Sequence, residues 1–167
     1  MTLRRVLARF LSGSPESPVY GTRRDPVCFE IGEAAYFEVF WKVLDIGRGP
    51  AVSLFVRDTE VMKFDCFGEG RGHVHIDFGR SGHLKALAHH RLHLGEKTVE
   101  EQIERTTFEL RMNLPYYLER HTDARIRAFQ PTAERLHEVT AKVRETMLTY
   151  AETVAGLPTG SSFPRRA

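Results

Sequence analysis

Three side chains able to hold a metal or move a proton fall at alternate positions in the run HVHIDF: His73, His75 and Asp77. On a strand they share one face, with about 7 Å from each to the next by strand rise. Two imidazoles so placed can chelate one divalent ion, Zn or Fe, with a carboxylate completing the set. Asp65, just before the Gly-rich GEGRG turn, is a further candidate, as a ligand or as the group that orients an imidazole. The same residues also make ordinary hairpin chemistry. Lys63 facing Asp77 as an ion pair, and Asp65 facing His75 as a charged pair, need no metal.

The neighbouring chemistry is weaker. The HVHIDF run resembles the H-x-H-x-D-H loop of the metallo-β-lactamase fold. Phe78 stands in the place of its last histidine, however, and the chain is short for a two-sheet fold, so no family is carried over. The amides of GEGRG with Arg71 offer an anion cradle. Without G-x-G-x-x-G spacing and a following helix, the loop reads as a permissive turn. His83, His89, His90 and His93 form a histidine cluster, in which His89, His90 or His93 is where an extra metal ligand is to be sought. Cys66 falls on the opposite strand face from His75, so a thiolate–imidazole pair is not expected. Ser53, Asp65 and His75 in one row would put the aspartate in the middle, which does not activate a serine.

Four strand-like runs lie between Ala35 and Phe78: YFEVFWKVLDI, AVSLFVR, VMKFDCF and HVHIDF, separated by GRGP, DTE and GEGRG. RLHL is a candidate fifth. Two helices follow. One opens with Thr98 as N-cap and Glu101 in a capping box, and ends or kinks at Pro115. The other runs from about Pro131 to Val154, with Leu136, Val139, Val143, Met147, Tyr150 and Val154 along one stripe. The expected fold is therefore α+β: a four-stranded antiparallel meander with two or more helices packed on one face.

The more apolar alternate set predicts the helix-facing side: Phe37, Val39, Trp41 and Val43; Val52, Leu54 and Val56; Met62, Phe64 and Cys66; Val74, Ile76 and Phe78. Gathering these on one side requires Ile46 opposite Ala51, Arg57 opposite Val61, and Asp65 opposite His75, since a one-residue slip inverts a strand. The other side then mixes charge with Phe40, Phe55, Phe67, Leu44 and Ile46. A solvated face does not need those apolar residues. Phe40, Phe55, Arg57 and Lys42 are the expected interaction face, with a second copy of the chain as the expected occupant.

The sequence has 167 residues, 41% hydrophobic and 28% charged, enough for one domain with its own core. A net charge of +2 does not call for a polyanion partner, and Asp65 and Asp77 lie in the same field as the basic aromatic residues, against a nucleic-acid surface. No apolar run has membrane-span length. Two cysteines fit a reducing, cytoplasmic setting. Residues 1–18 read as a basic amphipathic arm with a flexible linker, 19–155 as the domain and 156–167 as a disordered tail. The leading expectation is a non-catalytic binding or interaction protein that self-associates as a homodimer, with room for a small ligand. The alternative is a divalent-metal-dependent enzyme or sensor centred on the HxHxD strand face.

Overall fold

The computed structural model describes residues 22–44, 46–79 and 91–154. The expectations for the arm, the tail, and His83, His89 and His90 lie outside these residues. The chain is α+β, with six strands rather than four. They form one antiparallel sheet in sequence order: β1 (Thr22–Gly32), β2 (Ala35–Leu44), β3 (Gly47–Val56), β4 (Thr59–Asp65), β5 (His73–Ile76) and β6 (Arg91–His93). β1 carries Pro26 next to Asp25, whose φ is +47°, and its register against β2 shifts there. An edge strand tolerates that proline because it needs hydrogen bonds on one side only. β6, with three residues, is the other edge and realises the candidate fifth strand.

Helix α1 (Val99–Phe108) begins at the expected capping box, with the Glu101 N–H donating to Thr98 Oγ1 and Thr98 N–H donating to the Glu101 carboxylate. It does not end at Pro115. It passes through one π-helical turn, Glu109–Asn113, into α2 (Leu114–Glu119), where the proline occupies the first turn, which has no donor to lose. The buried Glu109 carboxylate anchors this turn, accepting from Asn113 at 2.7 Å, from Tyr117 at 2.9 Å and from Arg105 at 2.6 Å. A short α3 (Ala124–Arg127) leads to α4 (Ala133–Val154), which lies against α1 and across β1, β2 and β3. Leu136, Val139, Val143, Met147 and Tyr150 are its buried stripe.

Each strand puts the expected residues into the helix-facing core: Phe37, Val39 and Trp41, then Val52, Leu54 and Val56, then Met62, Phe64 and Cys66, then Val74 and Ile76. The registers differ from expectation at all three hairpins. β2 ends at Leu44 and β3 starts at Gly47, so GRGP is strand rather than turn, and Phe40, not Ile46, faces Ala51. The glycines there are needed: a Cβ on Gly47 would meet the Phe67 ring at 3.0 Å, and one on Gly49 the Cys66 carbonyl oxygen at 2.0 Å.

In the middle hairpin, Arg57 and Asp58 form a tight turn with φ of +48° and +70°, and Val56 faces Thr59. A bulge at Val61 then adds one residue and restores the apolar side, so Leu54 faces Met62. The expected Arg57–Val61 pair does not form, yet Phe64 and Cys66 are buried beside Val52 and Leu54 as expected. In the last hairpin Asp65 faces His73 and Lys63 faces His75, two residues out from the expected alignment. Every slip is by an even number of residues, so no strand changes face.

Candidate metal centre

The corrected registers bring together side chains that the expected rows kept apart. Phe40, Ala51, Asp65, His73 and His93 now form one row across β2 to β6, and Ser53, Lys63, His75 and Arg91 the next across β3 to β6. Lys42 stands opposite Gly49, which has no side chain to block it, and its Nζ lies 2.7 and 3.0 Å from the two Asp65 oxygens. Asp65, His73 and Lys42 are almost completely buried, at 0, 1 and 3% exposure. His75 is 9% exposed.

Asp65, His73 and His75 each offer one ligand atom within 4.8 Å of the other two. Asp65 Oδ2 is 3.1 Å from His73 Nε2 and 3.7 Å from His75 Nε2. Zinc bonds of ~2.0–2.1 Å place tetrahedral ligands about 3.3–3.4 Å apart, so these two separations bracket the value a metal requires. The imidazole rings stand 4.8 Å apart at 76°. The His73 Nδ1–H donates to the Arg71 carbonyl at 2.9 Å, which orients the ring and leaves Nε2 as the nitrogen that faces Asp65. That Nε2 is buried and has no hydrogen-bond partner. It stands 3.1 Å from Asp65 Oδ2, within ion-pair distance.

Burial would push the Asp65 carboxyl up; His73, His75 and the Lys42 ammonium outweigh it and hold the group well below the usual carboxylate range. Burial pulls Lys42 down to about 8, against the attraction of Asp65. His75 is also lowered, mainly by burial, so its neutral, ligand-competent form is favoured.

Of the four residues predicted for a metal, three converge and Asp77 does not. Its Oδ1 accepts from the Gly79 amide at 2.7 Å, its own N–H pairs with Val61, and in the ladder Lys63 faces His75 rather than Asp77. His93 stands opposite His73 in the ladder but is exposed and outside the cluster. Lys42 is the participant that spacing missed, because the displaced first hairpin hid its proximity to Asp65.

The expected interaction residues do not form one exposed platform. Phe40 and Lys42 are buried, Phe55 is half-buried and stacks on Tyr36 at 5.0 Å, and Arg57 is exposed on its turn. Cys66 is in the core against Thr106, its thiol pushed up to about 12 by burial, and Ser53 donates to Glu60. Neither is an activated nucleophile.

Three of the five GEGRG amides donate within the protein, Gly68 to Gln102, Glu69 to Lys97 and Arg71 to Gly68, so the loop does not turn its amides together toward an anion. An open groove of about 730 Å³ lies beside this loop, lined by Trp41, Arg48, Phe67, Arg71 and Glu100 among others; none of the three cluster residues lines it. It touches the cluster through Phe67, whose ring meets His73 edge-on at 5.7 Å, and through Arg71, whose carbonyl accepts from His73. No family model, curated protein or solved structure matches the chain.

Proposed function

We propose that the chain is a divalent-metal protein, with Zn or Fe held by Asp65, His73 and His75. The observation that carries this reading is His73: one ring nitrogen is committed to a backbone carbonyl, and the other is buried without a hydrogen bond, 3.1 Å from Asp65 Oδ2, where the three donors converge. A buried ring nitrogen without a hydrogen bond is costly in a folded protein, and metal coordination removes that cost. Three protein ligands leave a position open, the pattern of catalytic rather than closed structural sites, so the chemistry would be that of a metal-dependent enzyme or sensor.

The test is metal content after purification and after dialysis against chelator and reloading. About one ion per chain is expected, lost in His73→Ala and in His75→Ala while the fold persists by circular dichroism. No retained or reloaded metal in the wild-type chain would reject the reading.

A second reading has its own observation. Lys42 already bonds both Asp65 oxygens, so the ammonium supplies the positive charge the carboxylate needs. On this reading the cluster is a closed charged network, and the chain is a non-catalytic interaction protein. Lys42→Met separates the two: it raises metal affinity if a metal and the ammonium compete for Asp65, and it leaves the chain metal-free if the network is closed.

A further inference from the structure

We infer that the row beside the cluster, Lys63, His75 and Arg91, is a binding site for a small oxyanion, a carboxylate or a phosphate, placed next to the metal. This deepens the metal reading and rests on it for the anion's role, though the anion site has its own observation. Arg91 Nε is buried and has no hydrogen-bond partner. Among the described residues no carboxylate lies within ion-pair distance of the Arg91 guanidinium. A guanidinium N–H shut off from water without an acceptor is a donor waiting for one.

Its position is set by register. Arg91 faces His75 across β5 and β6, and Lys63 faces His75 across β4 and β5. Directly opposed residues leave the sheet on the same side with Cβ atoms about 4.5–5.5 Å apart. Two fixed cations therefore flank the imidazole whose Nε2 is 3.7 Å from Asp65. Exposure rises along the row, from Lys63 at 5% and His75 at 9% to the half-buried Arg91 on β6.

Charge points the same way. The charged groups around the cluster are Lys42, Lys63, Asp65 and Asp77, all buried, with Arg91, Glu60 and Glu38, opposite Ser53, half-buried. These three cations and four carboxylates nearly balance, and a divalent ion added to them leaves one positive charge in a site of low polarity, which a small anion compensates. Arginine suits this role because its fork of N–H donors matches carboxylate and phosphate oxygens.

The experiment titrates the zinc-loaded protein with inorganic phosphate and, separately, with acetate by calorimetry, for the wild type and Arg91→Met. The wild type is expected to bind at least one of the two anions, which names the preferred class. Arg91→Met is expected to weaken that binding at least about tenfold while zinc remains at one ion per chain. Equal affinity in the two proteins, or no binding of either anion by the wild type up to about 10 mM, overturns the anion site. If the wild type holds no zinc, the metal reading fails on its own and the same titrations are run on the metal-free proteins. Arg91-dependent binding there retains the anion site, and its absence removes it.

Discussion

On one side of β4, Met62 and Phe64 enter the core beneath α1 and α4; on the other side of the same strand, Lys63 and Asp65 are buried just as deeply. The apolar side has an obvious account. Removing large side chains from water supplies the driving force, and any set of similar volume and shape would serve. The polar side has no such account. Burying Lys42, Asp65, His73 and His75 carries a desolvation cost that their mutual contacts roughly offset at best. Well-packed hydrophobic residues there would make an equally stable or more stable sheet. A polar cluster that folding does not require is where a function is to be sought.

The largest effects should come from breaking either side outright. Phe64→Ala is expected to cost ~3–5 kcal/mol of stability, measured by urea denaturation, from lost transfer energy and a residual cavity. Asp65→Ala is expected to cost as much, ~3–5 kcal/mol, because Lys42 is left charged and unpaired inside. The two sides part in the compensating change. Lys42→Met with Asp65→Leu is expected to recover most of that loss, ending within ~1 kcal/mol of wild type or above it. If the double variant is as unstable as Asp65→Ala, the polar side is a stability device after all and the contrast collapses.

A smaller effect is expected where the two sides meet through backbone. Gly49→Ala places a methyl 2.0 Å from the Cys66 carbonyl oxygen, so β3 must move from the loop that follows β4. A loss of ~1–3 kcal/mol is expected, as for overpacked sites.

The smallest is a pH effect confined to the polar side. His75 is lowered in the fold, so below its ordinary value of ~6.5 the unfolded chain takes up a proton that the folded chain resists. Stability is therefore full above about pH 6.5 and declines as pH falls through the folded value. Asp65, held low, adds a second decline below its ordinary ~3.9. The urea midpoint followed from pH 8 to 5 should fall in the wild type and stay flatter in His75→Gln. Identical slopes would show that His75 does not carry the effect.

What could be read in the sequence follows from parity. Period-two alternation assigned the apolar residues of β2 to β5 to their side, and each hairpin slipped by an even number, so the side survived every error. Register was not legible, because it depends on contacts between distant segments. GRGP has turn composition, yet its glycines are there so that Phe67 and the Cys66 carbonyl can approach β3. A bulge at Val61 cannot be distinguished from a longer turn by counting apolar residues. β1 was hidden by Pro26, which breaks the alternation. At the site, His73, His75 and Asp65 were visible as types at a spacing. Lys42 was not, because its place beside Asp65 depends on two registers at once.

The central claim is that Asp65, His73 and His75 bind one transition metal. Mass-spectrometric metal analysis of the wild-type chain, after chelation, reloading with zinc and removal of excess, tests it most directly. About one zinc per chain is expected for the wild type and close to none for His73→Ala. A wild-type chain that emerges folded and without zinc would contradict it.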